Sequence, residues 1–283
     1  MIDTATIPPS PPAGLRYRYN AHLWSALQTL VRRRELVASL VRRDFTARYK
    51  QTVLGVAWAV LQPLAMILVL AVFIQRVAKA DTHAAPYALW SYMGLVPWTF
   101  FGSALNNGGM SLVNNQPLLN KVHCPREIFP TAATLLAGVD ALFSMTGLVV
   151  LFALYGFVPR GTVYWVPLLM LVQVAFALGA SLVVSIITVY VRDVRNMLPI
   201  VLQLGLFASP VAWGLDQLPH RYRLIYCFCN PGGAVIDGLR RAVLYGLGPD
   251  WAELGAAMAT SAVILVLGFR FFKRFELGIA DII

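Results

Sequence analysis

Residues 42–64 read RRDFTARYKQTVLGVAWAVLQPL, a stretch that changes within a few positions from densely basic to almost wholly apolar. Such a change is typical of a chain entering a membrane, because lysine and arginine stay with the phospholipid headgroups while apolar side chains enter the hydrocarbon core. Across all 283 residues, 58% are hydrophobic and 13% are charged, whereas soluble domains are roughly one quarter charged. The sequence therefore predicts an all-α integral membrane protein.

Six apolar stretches have about the 17–25 residues, or somewhat more, that a helix needs to cross the hydrocarbon core. They lie at residues 53–75, 86–106, 129–156, 163–190, 197–214 and 253–272. Six spans place both termini on one side. Sixteen of the 23 lysines and arginines then fall on that side, which favours cytoplasmic termini.

The second and fifth stretches are the least regular of the six. Asn106 and Asn107 end the second, and Pro199 and Pro210 bracket the fifth. Polar or proline-broken helices at membrane depth normally face protein or a water-filled cavity, since their freed polar groups need partners. We expect these two stretches to face protein or a water-filled cavity rather than lipid, and the alternative is a span count that differs from six by one.

Residues 30–52, before the first stretch, have the pattern of an amphipathic helix. One half of a helical wheel carries the apolar residues Leu36, Val37, Leu40, Val41 and Phe45. Arg33, Asp44 and Arg48 interrupt this apolar half. We predict a helix in the cytoplasmic interface whose long arginines reach toward phosphates. The alternative is a basic stop that only sets topology.

The ends of the chain have a different composition from the apolar stretches. Residues 1–29 include the run PPSPP at 8–12 and have no basic-then-apolar signal pattern. We expect a disordered or extended cytoplasmic tail there, a transmembrane domain over residues 53–275, and a second cytoplasmic tail over residues 276–283.

The segment between the fifth and sixth stretches, residues 218–246, contains two short amphipathic pieces on either side of Asn230-Pro231-Gly232-Gly233. Asn230 can cap the second piece, Pro231 suits its first position, and Gly246 can end it. Neither piece is long enough to span a membrane alone. We predict a re-entrant or interfacial helix pair on the outer side. The alternative is a seventh span made by the pair.

Isolated polar residues give weaker signals. Cys124, Cys227 and Cys229 include one C-x-C pair, which is weak evidence for a metal site. We interpret all three as structural and predict no metal site. Asp140 is the only acid well inside a predicted span, and we interpret it as a structural hydrogen-bonding group rather than a proton carrier.

Residues 43–64 resemble the signature of the membrane subunits of ABC-type polysaccharide exporters, R-D-F-x-x-R-Y-K-x-S-x-L-G-x-x-W-x-x-x-x-P-L. Thr52 replaces the serine of that pattern and keeps its hydroxyl. The resemblance continues through LLNKVHCPRE at 118–127 and YVRDVR at 190–195, and so covers nearly the whole chain after residue 30.

This resemblance implies a homodimer of the subunit, paired with two ATPase subunits in the bacterial inner membrane. It implies export of a lipid-linked glycan such as O antigen, capsule, teichoic acid or galactan. The sequence contains no G-x-x-x-x-G-K-[ST] phosphate loop. ATP and Mg²⁺ are therefore expected on the partner ATPase, with no cofactor and no catalytic residue in this chain.

Four groups of residues follow as candidates. Guanidinium groups match phosphate oxygens, so the headgroup site is assigned to Arg42, Arg43, Arg48, Tyr49 and Lys50. Aromatic and amide side chains suit sugars, and the resemblance implies that the first and fifth spans face the channel, so the glycan channel is assigned to Trp58, Gln62, Phe207 and Trp213. The ATPase-coupling loops comprise Leu119, Asn120, Lys121, Cys124, Arg126, Glu127, Arg192 and Asp193. The outer gate comprises Asn230, Pro231, Gly232 and Gly233.

Each assignment has a plainer alternative. The loop charges could serve topology alone, and many aromatic residues could form an interfacial belt. Two other functions also stay open: an ABC-type exporter of drugs or small lipids, and a membrane enzyme acting on polyprenyl-linked substrates. The enzyme should show several acids or histidines near one face, but the four histidines are scattered along the chain.

Overall fold

The computed structural model describes residues 28, 30–50, 52–77, 85–119, 124–276 and 278. Every secondary-structure element within these residues is a helix, as predicted. The longer helices are α1 (Arg34–Tyr49), α2 (Ala57–Val77), α3 (Tyr87–Asn114), α4 (Ile128–Tyr155), α5 (Val166–Tyr190), α6 (Val194–Ala208), α7 (His220–Cys229), α8 (Pro231–Arg240) and α9 (Trp251–Phe275). Most of the predicted tails, residues 1–29 and 276–283, lies outside the described residues.

Three segments among the described residues are long and apolar enough to cross a membrane, judged by length and composition. They are Ile128–Tyr155, Gly161–Tyr190 and Trp251–Phe275. These match the third, fourth and sixth predicted stretches. Helices α2, α3 and α6 lie at the other three.

Helix α6 is shorter than the sequence predicts. It ends at Ala208 rather than near residue 214, and Ser209 is extended, with φ −90° and ψ 151°. The cause is Pro210, because a proline ring disfavours helical geometry at the preceding residue. The chain then turns through residues 210–214 before the short 3₁₀ helix Leu215–Gln217.

Helix α3 lies at the centre of the bundle and packs against both α4 and α5. Its polar residues find partners there: Asn107 donates to Ser103 Oγ at 3.0 Å, and Ser181 of α5 donates to the Ala104 carbonyl at 2.9 Å. Gly108 permits this contact, because a Cβ at Gly108 would lie 2.8 Å from the Ser181 Cβ. Small and hydroxyl residues commonly mediate helix contacts in membranes. The polar composition of α3 is explained by its central position.

Helices α5 and α9 also approach closely. A Cβ at Gly179 would lie 2.7 Å from the Leu265 Cα, so only glycine fits at this crossing. This contact joins the last long helix to the centre of the bundle.

Helix α1 packs against the first half of α4. Val37 and Leu40 are buried, and the Phe45 ring stacks on Phe143 with a centroid separation of 6.0 Å. Residues 30–45 and 131–143 line an apolar groove of about 600 Å³ between the two helices. The predicted amphipathic helix is therefore present, and its C-terminal end reaches the middle of α4.

The predicted pair of short helices is formed by α7 and α8. Pro231 occupies the first turn of α8, which continues through a π-helical turn, Arg241–Tyr245, to Gly246 at φ +72°. Asn230 occupies the N-cap position of α8, as predicted, but its side chain makes no capping hydrogen bond. Its amide instead donates to Ser209 Oγ and to the Tyr226 hydroxyl, at 2.8 and 2.9 Å.

Candidate functional site

A cavity of about 1020 Å³ lies between the C-terminal end of α1 and helices α2, α3, α4 and α6. Its wall combines aromatic rings with amide and hydroxyl groups. The polar lining residues are Gln62, Thr99, Ser103, Asn106, Asn107, Ser144 and Gln203, and the aromatic ones besides Tyr49 are Trp58, Trp98 and Phe100. Asn106 and Asn107 thus face the cavity, as expected for polar residues inside the molecule.

Arg48, Tyr49 and Asp140 meet at one end of this cavity. The Arg48 guanidinium forms an ion pair with Asp140 Oδ2, and the Tyr49 hydroxyl donates to Asp140 Oδ1 at 2.8 Å. The Arg48 side chain is 32% exposed and that of Asp140 is 15% exposed. Burial raises the pKa of the Tyr49 hydroxyl, which therefore stays protonated and donates.

Asp140 is thus the residue whose role the sequence could not resolve. Its partners explain why Arg48 interrupts the apolar half of α1: that side chain points at α4 because a carboxylate lies there. Two features of the sequence pointed to an ion pair: a charged residue on the apolar face of a helix, and one acid inside a predicted span. The sequence offered no means of pairing residues 92 positions apart.

The other predicted headgroup residues lie on the same helix but are not brought to Asp140. Arg43 contacts Asp44 at 2.7 Å and the Asn115 side chain at 2.6 Å, which ties α1 to the end of α3. Arg42 and Lys50 are exposed. The structure therefore separates Arg48 and Tyr49, which line the cavity, from Arg42 and Lys50, which are exposed and do not line it.

The predicted channel residues also divide into two pairs. Trp58 and Gln62 of α2 line the cavity. Phe207 lies on α6 with 58% of its surface exposed. Trp213 donates its indole N–H to the Phe207 carbonyl at 3.1 Å and contacts the Tyr226 ring edge-to-face. This second pair lies outside the cavity and beside α7.

The predicted coupling residues cluster partly around the end of α9. Glu127 is buried and accepts from Lys273 Nζ at 2.8 Å, while Lys273 also contacts Glu276 at 3.1 Å. Arg126 donates to the Glu276 carbonyl. Burial raises the pKa of the Glu276 carboxyl. Glu127 therefore faces into the chain and links the start of α4 to the end of α9.

The remaining coupling residues lie near the surface or outside the described residues. Leu119, Cys124 and Arg126 are half-buried, and Arg192 and Asp193 are exposed between α5 and α6. Asn120 and Lys121 lie outside the described residues.

Comparison with known proteins identifies the family. The chain matches the ABC-2 type transporter family over residues 35–244. The chain belongs to this family. The match includes the cavity, the Arg48–Asp140 pair and the α7–α8 helix pair, and it confirms the resemblance predicted from residues 43–64.

Three relatives of this ABC-2 chain are named for glycan transport. The O-antigen export system permease protein RfbA of Klebsiella pneumoniae is 24% identical over 250 residues, which cover 88% of this chain and 95% of the relative. The protein of the same name from Myxococcus xanthus is 28% identical over 240 residues, covering 84% and 92%. The polysialic acid transport protein KpsM of Escherichia coli is 22% identical over 253 residues, covering 85% and 93%.

The predicted outer-gate segment of this ABC-2 chain packs beside a buried arginine, Arg240, which is not among the predicted gate residues. Arg240 is 1% exposed, and its guanidinium lies 3.3 Å from the centre of the Trp90 ring. It donates to the carbonyls of Trp90, Pro210, Trp213 and Val211 at 3.1, 2.7, 3.3 and 2.8 Å. Arg240 therefore joins α8 to α3 and to the turn after α6.

This arginine supplies donors to carbonyl groups of the turn after α6, those of Pro210, Val211 and Trp213, which have no helical hydrogen bonds of their own. Pro231, Gly232 and Gly233 are buried in the first turn of the same helix, and the Gly233 backbone lies against Tyr226 and Pro210. All four predicted gate residues are thus packed at the junction of α6, α7 and α8. Among the described residues of the chain, no group of three or more histidine, cysteine or acidic side chains could hold a metal ion.

Proposed function

We propose that this chain is the transmembrane subunit of an ATP-driven ABC transporter that exports a lipid-linked polysaccharide across the bacterial inner membrane. The observation that carries this proposal is the cavity between α2, α3, α4 and α6. It combines aromatic and amide walls with an arginine and a tyrosine at one end. Relatives along most of the chain are named for O-antigen export and for polysialic acid transport.

The chemistry of the cavity suits the two parts of such a substrate. Aromatic faces pack against the C–H groups of sugars, and amides exchange hydrogen bonds with sugar hydroxyls. Trp58 and Gln62 provide one of each on a single face of α2. Arg48 and Tyr49 are donors for the diphosphate that joins the glycan to its polyprenyl carrier. Arg42, Arg43 and Lys50 add positive charge along the same helix.

The proposed topology has six spans with both termini in the cytoplasm and an outer re-entrant pair, α7 and α8. Helix α6 is 15 residues long, or about 22 Å at 1.5 Å per residue, which is less than the hydrocarbon thickness of ~30 Å. The turn at residues 209–214 would complete the crossing. Arg240 supports this arrangement because it supplies donors to carbonyls that lipid cannot satisfy.

The proposed assembly contains two copies of this subunit and two copies of an ATPase that binds ATP and Mg²⁺. The loops at residues 118–127 and 190–195 would contact the ATPase. Glu127 and Arg126 would pass movement of the first loop to the end of α9 through Lys273 and Glu276. In the homodimer, the exposed Phe207 face of α6 is available to line a conduit shared by the two copies.

Depletion of the protein in the native cell tests the proposed function. We expect lipid-linked glycan to accumulate on the cytoplasmic side of the depleted cells. In a separate experiment, purification of the membrane subunit from undepleted cells should also recover the ATPase subunits. Normal surface glycan together with increased sensitivity to drugs would favour a drug exporter instead. Purified protein that turns over a polyprenyl-linked substrate without any ATPase would favour a membrane enzyme.

A further inference from the structure

Asp140 accepts hydrogen bonds from both donor groups at the charged end of the cavity. The Arg48 guanidinium donates to one carboxylate oxygen, and the Tyr49 hydroxyl donates to the other. Among the described residues that line the cavity, Arg48 is the only cation and Asp140 the only acid. The charged end is therefore formally neutral until another anion replaces the carboxylate.

An anionic headgroup that reaches Arg48 has to compete with this carboxylate. Asp140 belongs to the same chain, so its effective concentration at Arg48 is on the order of millimolar or higher. A phospholipid phosphodiester carries one negative charge, so exchanging it for the carboxylate yields little electrostatic gain. A diphosphate carries more charge and more acceptor oxygens, and it can engage Arg48 and Tyr49 together.

At a membrane surface, this competition affects which lipid headgroups can bind to Arg48. Singly charged lipids are abundant in the cytoplasmic leaflet and are drawn to basic segments, whereas a lipid-linked glycan is scarce. An unoccupied arginine at the cavity would be filled by the abundant lipid. Specificity often depends on an element that disfavours the wrong ligand, and a resident carboxylate is such an element.

We propose that Asp140 is a specificity-determining residue: it prevents singly charged lipid headgroups from binding to Arg48 and Tyr49, and a diphosphate displaces it from both. The proposal rests on the proposed function, because it assumes that a polyprenyl-linked diphosphate is the substrate headgroup. It assigns Asp140 a role beyond the structural hydrogen bonding that its position in the sequence suggests.

The test measures binding of a radiolabelled polyprenyl diphosphate to the complete transporter in nanodiscs. The phosphatidylglycerol content is raised stepwise in a background of phosphatidylcholine. We expect the wild-type affinity to change little over this range. In Asp140→Asn, phosphatidylglycerol should compete, and the apparent affinity should fall by about tenfold or more. Asparagine keeps the size of the side chain and an acceptor for Tyr49 but removes the charge.

Asp44→Asn is the matched control. It removes one carboxylate from the same region, but the partner of Asp44 is the exposed Arg43 rather than Arg48. We expect wild-type binding from this variant. A general effect of the lost negative charge would instead make binding sensitive to phosphatidylglycerol in both variants. If Asp140→Asn fails to assemble, Asp140→Ser removes the same charge in a smaller side chain, with the same expectation.

The possible results separate the two proposals. Equal sensitivity to phosphatidylglycerol in the wild type and in the Asp140 variant would overturn the specificity role while leaving the proposed function intact. Equal sensitivity in the Asp44 and Asp140 variants would overturn it as well. A wild-type transporter that does not bind the polyprenyl diphosphate at any lipid composition would overturn the proposed function itself.

Discussion

Arg48 at the C-terminal end of α1 forms an ion pair with Asp140 in the middle of α4. Helix α1 is thereby fixed to α4 in the wall of the cavity. This pair joins the basic helix, which sequence patterns identify readily, to an isolated acid that they do not explain.

Reversing the charge of Arg48 should damage both stability and export. Arg48→Glu places two carboxylates together, and we expect a loss of about 1–3 kcal/mol, a discounted range because Arg48 is one-third exposed. Glycan export should fall steeply. The double variant Arg48→Asp with Asp140→Arg should recover thermal stability in detergent but not export, because the guanidinium then lies on the wrong helix. Recovery of export by the double variant would show that only the pair matters.

Trp58 should contribute to glycan transport through its place in the cavity wall. We expect Trp58→Ala to lower the export rate severalfold while the complex with the ATPase remains intact. Trp251→Ala is the control, since Trp251 is an exposed aromatic at the start of α9 that contacts Trp165 edge-to-face. Export is measured as surface glycan per transporter. An equal loss in both variants would indicate a general effect of aromatic residues on membrane anchoring.

The Glu127–Lys273 pair should couple the loop before α4 to the end of α9. Glu127→Gln leaves Lys273 paired with Glu276 alone, and we expect ATP hydrolysis to continue while export falls. The charge-swapped variant Glu127→Lys with Lys273→Glu should restore part of the export. Arg274→Gln, an exposed change beside Lys273, should have no effect. Both activities are measured on the same reconstituted complex, and a proportional fall in both would contradict a coupling role.

Arg240 should be essential for the structure around α8. Arg240→Gln leaves several buried carbonyls without a donor, and we expect the protein to lose about 2–4 kcal/mol of stability. Arg240→Lys should keep little more stability than Arg240→Gln, because one ammonium group lacks the planar fork that reaches several carbonyls. The control is Arg241→Gln, since Arg241 donates only to the Gly248 carbonyl among its described contacts. Thermal unfolding of the two variants should differ clearly.

The close crossing of α5 and α9 should not tolerate a methyl group. Gly179→Ala places a Cβ 2.7 Å from the Leu265 backbone, and we expect a loss of about 1–3 kcal/mol as the helices move apart. Gly102→Ala on α3 meets nothing within 4 Å. It should be neutral or should stabilise by up to about 1 kcal/mol through helix propensity. Similar melting temperatures for the two variants would contradict the close packing.

Several features could be predicted from the sequence because they depend on local properties of the chain. Hydrophobic length located the three segments that are long and apolar enough to cross a membrane, Ile128–Tyr155, Gly161–Tyr190 and Trp251–Phe275, since crossing a membrane sets a minimum apolar length. Pro231 and Gly246 marked the two ends of the α8 segment, because proline and glycine have strong positional preferences in helices. The motif at residues 43–64 indicated the family.

Other features depend on which helices become neighbours, and only the tertiary structure decided them. The sequence presented Arg48 as an irregularity and Asp140 as an isolated acid, and it did not single out Arg240. In the folded chain, each has partners on helices that are distant in sequence. Helix α6 ends before the apolar stretch does, because Pro210 disfavours helical geometry at Ser209. Apolar length and helix-end preferences are properties of each segment alone, whereas the partner of a buried charge is fixed by packing between segments.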